Sequence, residues 1–229
     1  MKTNRLEKNE IKEKKRVKEN PPKRSALEEI GNSVTHGLGA GFAAVALFLM
    51  LRSAEGVREH ISAFIYFSGM FLAFGVSCLY HAFPYGSAVK RLFRRFDYSS
   101  IYLLIGATFA PSLLSVFDNS FGLIFFIVQW AVIAVGITLV GVFGPTRLRF
   151  VHIPLYVILG WSALMLLPGL LSYSTPLALF ILFGGVIYSF GIIPFALKRG
   201  PSHFVWHFFV LVGAVVKWLG NYLYIYLQR

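Results

Sequence analysis

A single cysteine, Cys78, stands in a chain of 229 residues. No disulfide can therefore form within the chain, and oxidative cross-linking has no part in its fold. The thiol lies inside an apolar run and reads as a packing residue. Charge is also scarce: charged side chains make up 14% of the sequence, against about 25% in an ordinary soluble domain. Carboxylates are rarer still, ten against 22 lysines and arginines. The apolar stretches do not alternate with polar residues, which excludes the strands of a membrane barrel. Residues 1–27 lack the apolar core of a signal peptide, so the first apolar span is expected to be retained rather than cleaved.

What the chain has in excess is apolar length. It is 56% hydrophobic with a mean hydropathy of +0.65. Continuous apolar runs of about 18 residues or more read as membrane helices, because backbone polar groups in lipid must be satisfied within the segment. Seven such spans follow one another, near 31–51, 61–82, 98–117, 121–143, 150–167, 176–197 and 203–226. Pro84, Pro145, Pro168, Pro176 and Pro201 punctuate their ends. The fifth is the shortest. The expected fold is all-α: a polytopic, seven-helix transmembrane bundle over 28–229, preceded by a basic tail over 1–27.

The basic residues supply an orientation. Ten lie in the tail and its junction, up to residue 30. Lys90, Arg91, Arg94 and Arg95 follow the second span, Arg147 and Arg149 the fourth, and Lys198 and Arg199 the sixth. The alternate loops hold only Arg52 and Arg58, with Arg229 at the far terminus. Cationic loops stay in the cytoplasm, so the amino terminus is expected inside and the carboxyl terminus outside. A net charge of +12 therefore reports membrane orientation, not nucleic-acid binding. The expected location is the cell membrane, a bacterial inner membrane, with lipids as partners. Within Ala88–Asp97 the four cations share a helical face while Leu92, Phe93 and Phe96 lie off it. That pattern fits a short helix lying in the headgroup layer.

With this topology, ionisable residues from three spans meet at one depth. His203 and His207 open the seventh span, four residues apart and so on one helical face. Ser77 and His81 repeat the spacing at the end of the second span, and Asp97 stands at the entrance of the third. Any one of these histidines alone reads first as an interfacial or packing residue. Three at matched depth suit zinc, which takes imidazole nitrogen at about 2.0–2.1 Å and leaves a fourth position open in catalytic sites. Asp97 would accept from water in that position or act as its base, and Ser77 would orient His81 or a substrate carbonyl. Charged and polar groups inside a membrane segment are costly and mark function.

Other polar residues have weaker claims. Glu29, Asn32 and His36 in "EEIGNSVTHGLGAG" read as polar packing or as support around the histidines. His60 and His152 are expected at the interface. Lys217 lies within the seventh span and either snorkels outward or lines an internal cavity with Asn221.

The segments "EEIGNSVTHGLGAG", "SCLYHAFP", "RRFDYSSIYLLIGATFAP" and "HFVWHFF" resemble the hemolysin III family of bacterial membrane proteins. That family is related to the progestin and adiponectin receptors and, more distantly, to alkaline ceramidases. The resemblance spans about residues 25–229. It implies zinc held by His81, His203 and His207, with Asp97 beside the water and Ser77 close by. It also suggests a zinc-dependent hydrolase acting on a lipid amide, as in the ceramidase relatives. The alternative is a non-enzymatic protein with structural zinc: receptor-like, lipid-sensing or membrane-perturbing. The chain departs from the receptors in having no larger cytoplasmic domain, which counts against a hormone-receptor role.

Overall fold

A computed structural model describes residues 21–197 and 200–228. The larger part of the basic tail, together with Lys198, Arg199 and Arg229, lies outside the described residues. Among those described, every regular element is helical. The helices are α1 (Ala26–Ser53), α2 (Val57–Ala82), α3 (Ala88–Pro111), α4 (Ser120–Phe143), α5 (Arg149–Trp161), α6 (Ala163–Tyr173), α7 (Thr175–Leu197) and α8 (Ser202–Asn221). α5 and α6 are two halves of one span, so seven helical stretches are long and apolar enough to cross a membrane. Exposed Leu, Ile, Val and Phe side chains cover the outside of the bundle, as a lipid-facing surface requires.

Local signals explain the helix starts. Ser25 caps α1 by accepting from the Glu28 amide at 3.2 Å, Ser87 caps α3 from the Lys90 amide at 3.0 Å, and Asn119 caps α4 from the Gly122 amide at 3.0 Å. Each satisfies one of the amides a helix start leaves unpaired. Pro111 ends regular α3, and a π-helical turn, Ser112–Val116, carries the chain out of the bundle. A second π-helical turn, Tyr222–Leu227, closes α8.

α1, α2 and α3 pack in chain order, α7 lies along α8, and α8 returns against α1. Small residues let the backbones approach, as is usual between membrane helices. A Cβ at Gly69 of α2 would collide with Ala107 of α3 and lie 2.8 Å from the Leu103 carbonyl oxygen. The core gathers Tyr66, Met70, Phe74, Leu104, Leu113 and Ala214 from α2, α3, the turn after α3, and α8.

Three expectations change. The segment 88–97 is not a separate surface helix; it forms the first turns of an unbroken α3. Lys90 and Arg94 point into the bundle and are buried, because they find partners there rather than headgroups. The fifth span does not stop near Pro168. It runs to Tyr173 with a local break at Ser162, and Pro168 sits inside α6. His152 is not interfacial: it is fully buried, with Nδ1 2.9 Å from the Tyr102 hydroxyl.

Candidate metal centre

Four helices bring the polar residues to one end of the bundle. α1 contributes Glu29, Asn32 and His36 from its first turns, and α2 contributes Ser77 and His81 from its last two. Asp97 comes from α3, and His203 and His207 from the first two turns of α8. This convergence is a consequence of antiparallel succession: the end of α2 and the starts of α1, α3 and α8 lie at the same end.

One nitrogen from each of His81, His203 and His207 lies within 4.8 Å of the others. The Nε2 atoms of His203 and His207 face each other at 3.2 Å. Two ligands at zinc–nitrogen distances of about 2.0–2.1 Å and a tetrahedral angle would stand about 3.3 Å apart, so this pair has the right spacing. His81 Nε2 is buried without a hydrogen-bond partner, although buried polar atoms are normally satisfied. The donor set therefore fits a cation that prefers imidazole nitrogen.

The other face of the His81 ring is fixed. The Glu29 Oε2 atom lies 2.5 Å from His81 Nδ1, and the Asn32 amide nitrogen lies 3.4 Å from the same atom. A carboxylate accepting from Nδ1–H selects the tautomer whose Nε2 lone pair points at the other two histidines. Glu29 is itself held by Lys90 Nζ, 3.2 Å from Oε1. Lys90 also donates to the backbone carbonyls of His81, at 3.2 Å, and Phe83, at 2.9 Å. Its ammonium is thus spent on the end of α2 and on Glu29, which explains its burial. Sequence reasoning placed Lys90 among the loop cations. Only the meeting of α1, α2 and α3 reveals its partners.

His36 does not join the nitrogen set. Its ring stacks on His207 with centroids 3.7 Å apart and planes 15° from parallel. It thereby braces the ring face, and both of its own nitrogens are buried without a hydrogen-bond partner. Asp97 and Ser77 are hydrogen-bonding neighbours, and Arg24 lies close enough for its charge to act on the Asp97 carboxylate. Arg24, just ahead of α1, reaches the Tyr80 hydroxyl as well. It was not singled out from the sequence, since one arginine in a basic tail carries no distinguishing local signal.

A cavity of about 140 Å³ adjoins this cluster. Asp97, Ser77, His203 and His207 line one end of it and Lys217 the other. Between them the walls are apolar, built by Leu104, Ile105, Val157, Ile192 and Val210 among others.

Residues 24–218 match the family model described as Haemolysin-III related. The chain belongs to the haemolysin-III related family. It is 32% identical to Hemolysin-3 of Bacillus cereus over 203 residues, covering 86% of this chain and 92% of that protein. It is 31% identical to the Hemolysin-3 homolog of Bacillus subtilis (strain 168) over 192 residues, covering 82% and 89%. A human protein, Monocyte to macrophage differentiation factor, shares 27% identity over 218 residues, covering 89% and 87%. This haemolysin-III related chain is a multi-pass membrane protein. The matched region begins at Arg24 and takes in all of the polar cluster from Glu29 to His207.

Proposed function

We propose that the protein is a zinc-dependent intramembrane hydrolase acting on the amide or ester carbonyl of a lipid. The observation that carries this reading is the joining of three inward-facing imidazoles and an Asp97–Ser77 pair to the end of an apolar cavity. His81, His203 and His207 would hold the metal. Zinc bound by three imidazoles supplies Lewis-acid polarisation of a carbonyl and acidifies water to a pKa of about 7.

The remaining steps fall to the chain itself. Glu29 keeps His81 in one tautomer and one orientation. Asp97 accepts the proton of the attacking water and returns it to the leaving amine or alcohol, as a general base and then acid. The Ser77 hydroxyl donates to Asp97 and orients it toward the cavity. The apolar walls take up the acyl chain and keep bulk water from the site. The charge asymmetry of the loops supports putting this end of the bundle at the cytoplasmic face.

Elemental analysis of purified protein tests the metal, with about one zinc per chain expected. Removing His81, His203 and His207 together should abolish it, and full zinc occupancy in that triple variant would sink the assignment. Asp97→Asn should keep the metal and lose turnover in a screen of lipid amides and esters. An Asp97→Asn protein that keeps wild-type activity, or a wild type that turns over none of them, would favour a structural metal in a lipid-sensing or membrane-perturbing protein.

A further inference from the structure

Lys217 sits in α8 ten residues beyond His207, about 15 Å along an ideal helix, and is 3% exposed. Its stem lies in a groove that a glycine makes. A Cβ at Gly184 of α7 would strike the Lys217 Cγ and lie 3.3 Å from its Cδ. The ammonium nitrogen stands 5.7 Å from the Phe109 ring centre and 5.2 Å from that of Tyr188. Lys217 and Tyr188 both line the cavity, and the Tyr188 hydroxyl is buried without a partner.

Among the described residues no carboxylate balances this amine. The described acids number six. Glu28, Glu29 and Asp97 lie at the histidine end, while Glu55, Glu59 and Asp118 lie in or beside the loops of the opposite end. None falls in the middle of a span. Asp97 lies twelve residues before Phe109 on α3, about 18 Å away along the helix. Glu28, Glu29 and Asp118 pair instead with Arg24, with His81 and Lys90, and with Arg58. A lone ammonium inside a membrane protein is costly, and aromatic faces offset only part of that cost. The cavity wall beside it is apolar and runs back to the histidines.

We propose that Lys217 and Tyr188 form an anion subsite at the far end of the cavity. It takes the carboxylate of a long-chain fatty acid whose alkyl chain lies along the apolar walls. The carboxylate supplies the missing charge, Lys217 and the Tyr188 hydroxyl donate to its two oxygens, and the chain fills the space toward the histidines. The subsite shares the cavity with the proposed hydrolase but needs neither the metal nor turnover.

The test compares laurate with 1-dodecanol, the same chain with neither the charge nor a hydrolysable bond, binding to purified protein in a neutral detergent. Wild type should prefer laurate, and Lys217→Met should weaken laurate about tenfold or more while leaving 1-dodecanol unchanged. Lys217→Arg should retain the preference. Equal affinity of wild type for the two probes overturns the proposal without need of any variant. A preference that survives Lys217→Met overturns it too. If that preference is instead lost in His207→Ala, the carboxylate sits at the histidines. Loss of the hydrolase reading shows separately, as zinc that persists in the triple histidine variant.

Discussion

Glu29 Oε2 lies 2.5 Å from His81 Nδ1, joining the first turn of α1 to the last turn of α2. The two residues are 52 positions apart in the chain. The contact orients the one histidine of the cluster that does not come from α8. Outer carboxylates of this kind contribute to metal affinity by holding a ligand's tautomer and raising its basicity.

Glu29→Gln therefore lowers metal affinity about 10–100-fold while leaving the three histidines in place. The neutral amide can still accept from Nδ1–H but no longer raises the basicity of the His81 ring or offsets the charge of Lys90. Competition with a chelator, followed by metal analysis, measures the change. Affinity equal to wild type would mean that Glu29 serves only to anchor Lys90.

Gly69→Ala destabilises the bundle by about 1–3 kcal/mol, the usual cost of overpacking. The new Cβ has the Leu103 carbonyl oxygen 2.8 Å away and Ala107 against it, so α2 and α3 must separate. Gly41→Ala is the control, because nothing lies within 4 Å of a Cβ there. It should gain about 0.5–1 kcal/mol from lower backbone entropy. Thermal unfolding in detergent separates the two, and a Gly69→Ala protein as stable as wild type would refute the close approach.

Lys217→Met raises the unfolding temperature in the absence of added fatty acid. Methionine keeps the length of the stem against Gly184 and removes an uncompensated buried amine. For a protein of this size each kcal/mol corresponds to about 2–4 °C. A fall in melting temperature would show that Lys217 has a stabilising partner.

Topology can be read with an impermeant maleimide in a Cys78→Ala background, since Cys78 is the only cysteine. Thr146→Cys lies in the loop between α4 and α5, and Glu55→Cys in the loop between α1 and α2. The charge asymmetry predicts labelling of Glu55→Cys in intact cells and of Thr146→Cys only after permeabilisation. The reverse pattern would invert the bundle and move the histidines to the outer face.

The sequence by itself determined the class of the protein. Seven long apolar runs admit only helices in lipid, since each backbone amide must find its partner within its own segment. The i, i+4 spacings put His203 beside His207 and Ser77 beside His81, and antiparallel succession put them at one end with Asp97. Helical periodicity is local, so these features were legible without a fold. The partners of Lys90, Glu29, His152 and Lys217 were not. Lys90 looks like its neighbours Arg91 and Arg95 until α1 supplies Glu29, and His152 looks interfacial until α3 supplies Tyr102. Which helix faces which, and how closely, depends on small residues meeting across interfaces far apart in the chain. That packing alone decided that one lysine closes an ion pair while another has no acidic partner among the described residues and lines the end of a cavity.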